Sequence, residues 1–151
     1  MGTVKLHFSK QINAPKEKVW QSVIGKDTYP QWTEAFSPGS HFVGDWSAGS
    51  KILFLGPDDK GQMGGMVSRI AENRPHDYIS IEHLGMVKNG VEDTTSDEVK
   101  AWTPAFENYT FDERDGTTEF KVDMDSPEEY AESFKEMWGN ALDKLKALAE
   151  S

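Results

Sequence analysis

The chain has 151 residues, the size of one domain with a core of its own, and its 13 glycines and 7 prolines are scattered through turns instead of gathered into a linker. It has no cysteine, which removes disulfides, thiolate zinc sites and cysteine nucleophiles, and no run approaches the roughly 20 apolar residues that span a bilayer. A net charge of −10, from 26 acidic and 16 basic residues, repels phosphate backbones and anionic headgroups, so neither nucleic acid nor a membrane is an expected partner and the acidity reads as a solubility feature. The opening "MGTVKLHFSK" lacks an apolar signal core. One domain over 1–151, cytoplasmic, as a monomer or weak homodimer, is the expectation.

In "TVKLHFSKQI" Val4, Leu6, Phe8 and Ile12 alternate with polar residues, the pattern of a strand with one wet face, and Lys10 is the single break. Pro15 suits a first helical turn, and Val19, Trp20, Val23 and Ile24 recur at helical spacing before Gly25 ends the run; "DTYPQWTEAF" is a second short helical piece. Strands "HFVGDW" and "KILFL" follow, then "QMGGMVSRIAEN" and "DYISIEHLGM", joined through Arg74-Pro75-His76. Setting Ile70 opposite Ile81 pairs Arg69 with Glu82 on the outer face and gathers Met66, Ser68, Ile70, Ile79, Ile81 and His83 on the other. Gly64-Gly65, inside a strand, predicts a bulge or bend, not a phosphate cradle.

"VKNGVEDTTSDEVKAWTP" is longer than a hairpin needs and acidic until Trp102, so it is either a flexible flap over one end of the fold or an ornamental surface loop. Asp115-Gly116 is a two-residue turn signal that sets Arg114 opposite Thr117, Phe111 opposite Phe120, Tyr109 opposite Val122 and Glu107 opposite Met124. A slip of one residue would bury Asn108, Thr110, Asp112, Glu119, Lys121 and Asp123, so the register is well determined. Ser126, Pro127 and Glu129 then read as a capping box, opening a helix roughly 33 Å long whose apolar stripe is Tyr130, Phe134, Met137, Trp138, Ala141, Leu142, Leu145 and Leu148.

The order is strand, two short helices, further antiparallel strands with one wet face, and a long C-terminal helix: an α+β chain whose helix lies on a curved antiparallel sheet of about six to seven strands, with the two short helices between strands 1 and 2 plugging one end. This order, carried by "INAPKEKVW" with Trp32, "GDWSAGSKILFLGPD", "GGMVSRIAENRPHDYISIEH", "ENYTFDERDGTTEFKVDMD" and "MWGNALDKLKALAES", resembles the START-like helix-grip superfamily, also called Bet v 1-like or SRPBCC. More narrowly it is similar to the bacterial branch related to the activator of the Hsp90 ATPase. The resemblance implies an apolar cavity between helix and sheet, used across the superfamily for lipids, hormones and polyketides; some members are cyclases or dehydratases, many only bind, and the eukaryotic Hsp90 activators use the domain as a protein-binding surface.

The expected function is therefore binding of a small apolar or aromatic molecule, with a co-chaperone-like interaction module and a cyclase- or dehydratase-type enzyme as the other readings. No catalytic motif of any branch can be matched residue by residue, so no catalytic role is assigned. Two inner-face polar residues stand out. Glu107 is either a ligand-orienting or acid/base carboxylate or a group reaching water at the cavity mouth, and His83 either hydrogen-bonds a ligand or serves as a base, or is satisfied by Ser68 or Tyr109. The candidate ligand-binding residues are Trp32, Met66, Ile81, His83, Trp102, Glu107, Tyr109, Phe111, Phe120, Val122, Phe134 and Trp138, and the aromatics among them each also have an ordinary reading as core packing. His7, His41 and His76 form no pair at metal-ligand spacing and no phosphate-binding or G-x-S-x-G motif occurs, so neither a metal nor a cofactor is indicated.

Overall fold

In the computed structural model the described residues are 3–57 and 60–151; Met1, Gly2 and the Asp58 that ends "GDWSAGSKILFLGPD" lie outside them, as does Asp59. Strand β1 (Thr3–Ile12) leads into helices α1 (Lys16–Ile24) and α2 (Tyr29–Thr33), then β2 (His41–Gly44), β3 (Lys51–Pro57), β4 (Met63–Arg74), β5 (Tyr78–Lys88), β6 (Val91–Asp93), α3 (Asp97–Lys100), β7 (Ala105–Arg114), β8 (Thr117–Pro127) and α4 (Ala131–Glu150). The strands form one antiparallel sheet in the order β1-β8-β7-β5-β4-β3-β2, with short β6 added beside β5. Helix α4 lies against β1 and meets α1 and α2. This is the α+β helix-grip arrangement expected from the order of elements.

The predicted registers hold. Ile70 faces Ile81 and Arg69 faces Glu82, whose carboxylate accepts from both Arg69 Nε and Nη2. Phe111 faces Phe120, Tyr109 faces Val122 and Glu107 faces Met124. Asp115 and Gly116 have φ of 54° and 81°, the doubly left-handed pair that matches the twist of a two-residue hairpin. Lys10, the break in the β1 alternation, sits on the face toward α4 and pairs with Asp143 of that helix at 2.6 Å.

The α1–α2 segment is pinned from several sides. Glu113 of β7 accepts from the Lys16 amide at 2.8 Å, supplying the carboxylate that Pro15 cannot offer the helix start, and Lys16 Nζ reaches Asp77 at 2.7 Å. Trp32, 1% exposed, donates its indole N–H to the Val23 carbonyl at 3.2 Å. The two tryptophans of this segment thus point into the core, Trp20 onto Phe111 at 5.2 Å and Trp32 onto Trp138 of α4 at 5.8 Å.

Three expectations are corrected. Ser126 does not cap a helix: it is fully buried at the end of β8, facing Val4 of β1, and its hydroxyl donates to the Pro127 carbonyl. The ladder with β1 holds the chain extended through Pro127, so a 3-10 turn (Glu128–Tyr130) precedes α4, the helix has 20 residues and Tyr130 is exposed.

The 87–104 stretch is not an ornamental loop: it is built as a hairpin and a short helix. Asn89 and Gly90, both with positive φ, close a hairpin of β5 with β6. Asp93 Oδ1 then accepts from the Thr95 and Ser96 amides, Ser96 caps α3 through the Val99 amide, and Lys88 pairs with Glu98.

Nor is the second face uniformly wet. Val67, between inward Met66 and Ser68, and Val99 of α3 are buried outside the main core. Helix α3 packs on β5 there.

Candidate functional site

A pocket of about 550 Å³ lies between α4 and the sheet, lined also by Tyr29, Trp32 and Thr33 of α2 and by Gly56, Pro57 and Trp102. Its size is within the ordinary range for small-molecule sites. Nine of the twelve candidate residues line it: Trp32, Met66, Ile81, His83, Trp102 and Glu107, together with Tyr109, Phe134 and Trp138. Phe111, Phe120 and Val122 do not. They belong to the filled core beyond the pocket's inner end, where Phe111 packs on Phe120 at 5.1 Å and on Trp20 at 5.2 Å. Strand alternation says which face a residue takes but not how far along the strand the pocket extends.

Two glycines of β4, Gly64 and Gly65, line the pocket. Gly65 has φ +152°, and a Cβ there would lie 1.8 Å from the Phe54 carbonyl oxygen, so this close approach of β3 and β4 admits no side chain. The ladder runs without a shift through Gly64 and Gly65; the register shifts fall instead between Ile70 and Glu72 and between Val67 and Ser68, where Leu84 is the extra residue on β5. That bulge resets the alternation: His83 and Met86, three apart, both line the pocket.

The polar part of the site is one chain of hydrogen bonds. Ser68 Oγ lies 2.7 Å from His83 Nδ1, His83 Nε2 lies 3.0 Å from Glu107 Oε1, and the Tyr109 hydroxyl donates to Glu107 Oε2. The side chains of His83 and Glu107 are 10% and 17% exposed, so the pair is shielded without being sealed. His83 is therefore satisfied by Ser68, one of its two expected partners, while Tyr109 bonds Glu107 instead. Ser68 is fully buried and does not line the pocket, which excludes it as a nucleophile toward anything bound there.

Burial pushes the Tyr109 phenol well above its ordinary pKa, helped by the charge of Glu107, and Tyr29 is shifted the same way for the same two reasons. Both remain O–H groups across the neutral range. The second carboxylate at the pocket, Asp125, is already engaged by Lys5 Nζ at 2.7 Å and by the Phe106 amide at 3.0 Å.

Tyr29, Phe36 and Phe54 also line the pocket and are absent from the sequence-derived candidates. Their signal was there: Tyr29 and Phe36 flank Trp32 in "DTYPQWTEAF", and Phe54 alternates with Ile52 in β3. The signal for Met86 was not, since nothing local marks the bulge at Leu84.

Fold and pocket together define an α+β helix-grip domain. The chain matches the family model described as "Activator of Hsp90 ATPase homolog 1-like protein" over residues 13–150 and belongs to that family. No curated protein matches it. Among solved structures, a protein of unknown function from Staphylococcus aureus superposes with a TM-score of 0.75 at 15% identity, covering 99% of this chain and 94% of that one. A protein from Nitrosomonas europaea gives 0.73 at 15% identity, covering 96% and 93%, and one from Chromobacterium violaceum gives 0.67 at 21% identity, covering 99% and 97%. At such identities the likeness is one of fold.

Proposed function

We propose that this protein binds a small apolar or aromatic molecule between α4 and the sheet. The observation that carries the reading is the unfilled 550 Å³ pocket with its mainly apolar, aromatic wall, where a core serving stability alone would be packed. Its decisive test is native mass spectrometry of the purified protein combined with titration by a neutral apolar fluorophore, N-phenyl-1-naphthylamine. Saturable binding near one equivalent is expected, weakened by Met66→Trp, which fills the space. No saturable binding to a folded protein would sink the proposal and favour the interaction module that the family's description brings to mind.

A second reading, a cyclase- or dehydratase-type enzyme, draws on the 3.0 Å contact between His83 and Glu107. Against it, both imidazole nitrogens already hold partners, leaving no nitrogen of His83 free to take a substrate proton. If this reading were right, Glu107→Gln would lower a turnover by the ~100- to 10,000-fold typical of a lost acid or base. For a binder the same change alters only affinity.

A further inference from the structure

The pocket's charge is one-sided. Among its described lining residues there is no lysine and no arginine, and the ionisable groups other than the phenols are Glu107, Asp125 and His83. Asp125 is neutralised by Lys5. Among the described residues that leaves Glu107 as the carboxylate facing the interior, with the imidazole of His83 as its one candidate cation. Ser68 can donate its hydroxyl proton to Nδ1, and His83 can donate Nε2–H to Glu107, so this network is complete with the imidazole neutral. The carboxylate lies beside aromatic rings, and each of its oxygens retains a lone pair beyond the one that His83 or Tyr109 uses.

The rings complete the environment. Tyr29, Trp32, Phe54, Tyr109 and Trp138 all line the pocket, with Trp32 5.8 Å and Tyr109 6.1 Å from Trp138, and Tyr29 5.9 Å from Phe54. Aromatic faces attract cations and repel anions, and do so most strongly out of water. An organic acid entering here would meet the Glu107 carboxylate and, among the described lining residues, find no lysine or arginine.

We infer that the pocket selects ligands with an aromatic or aliphatic body carrying a cationic amine, held by the Glu107 carboxylate among aromatic faces, and that it discriminates against organic acids. This rests on the binding reading above and adds the charge of the ligand.

The test uses the full chain in 150 mM salt, where the field of the exposed surface charge is largely screened. Tryptamine, tryptophol and indole-3-acetate, which share one ring system and differ in charge, compete against N-phenyl-1-naphthylamine. Tryptamine is expected to displace the fluorophore at a concentration at least about tenfold lower than indole-3-acetate, the scale of one hydrogen bond to a charged group, with tryptophol between them. In Glu107→Gln, with each competitor's displacement referred to that variant's own affinity for the fluorophore, the tryptamine preference should collapse to about threefold or less; the net charge changes by one, so a general surface field would survive this substitution. Equal or better displacement by indole-3-acetate overturns the inference, as does a preference that persists in Glu107→Gln. If that variant does not fold, the comparison on the native protein decides. Failure of the fluorophore itself to bind the native protein overturns the binding reading and this inference with it, whereas fluorophore binding without charge preference overturns the inference alone.

Discussion

His83 and Glu107 meet at 3.0 Å although they occupy different strands, because Ile81, two residues before His83, is the direct partner of Glu107 in the β5–β7 ladder. The contact is a same-face diagonal, and it closes a chain from fully buried Ser68 to buried Tyr109. Removing the middle of such a chain should cost more than neutralising one member. His83→Ala strands the Ser68 hydroxyl and one Glu107 oxygen and should destabilise by about 2 to 4 kcal/mol, while Glu107→Gln keeps an acceptor and should cost under about 1.5 kcal/mol. The double variant should be less destabilised than the sum. Urea denaturation of the four proteins checks this, and strict additivity would show that the two side chains do not interact in solution.

Two glycines make opposite demands. Gly65→Ala forces a Cβ against the Phe54 carbonyl at a left-handed φ and should cost upwards of about 3 kcal/mol, because main chain on both sides would have to move. Gly139, in the exposed middle of α4 with open space around its Cα, should gain from the same substitution: Gly139→Ala should stabilise by roughly 0.5 to 1 kcal/mol through helix propensity. Thermal melts of both variants are the measurement, and a benign Gly65→Ala would mean that β3 and β4 do not approach as closely as described.

The order of elements, the two hairpin registers and the inward placement of Glu107 and His83 were legible because each rests on local alternation plus a turn signal. What was not legible came from long-range competition. The β1–β8 ladder outcompetes the capping box at Ser126, and the bulge at Leu84 swings Met86 into the pocket, neither of which leaves a local trace. The β5–β6 hairpin is different: Asn89-Gly90 is a strong turn signal, obscured by the acidic run that follows it. Phe111, Phe120 and Val122 were placed on the right face but beyond the pocket, since depth along a strand is set by how α1 and α4 cover it.

Alkaline pH should unfold the protein through Tyr29 and Tyr109. Both phenols are raised above the ordinary ~10 by burial and by Glu107, so the folded state holds their protons more tightly than the unfolded chain does. That stabilisation is fully present below pH ~10 and is lost as pH climbs above it. Phenolate absorbance from these two should therefore appear together with the loss of buried-tryptophan fluorescence, and Tyr29→Phe should reduce its amplitude. Complete titration of all four tyrosines in a protein whose tryptophans remain buried would contradict this account.

Removing α4 should abolish folding even though every strand remains. A chain ending at Pro127 keeps β1 to β8 but loses Trp138, Leu142 and Leu145, the three large α4 side chains that are buried against the sheet and the short helices. At about 1.5 to 3 kcal/mol each, their burial is worth on the order of 5 to 9 kcal/mol, before counting the sheet residues they would leave wet. That is comparable with the roughly 5 to 15 kcal/mol by which whole domains are stable, so the truncated chain should show no cooperative transition. A graded control separates helix packing from general damage. Leu145→Ala, at a fully buried position, should cost about 2 to 5 kcal/mol and lower the Tm while leaving a single sharp transition. If the truncated chain melts as cooperatively as the intact one, the sheet stands without its helix, and the pocket between them cannot be the organising feature of this fold.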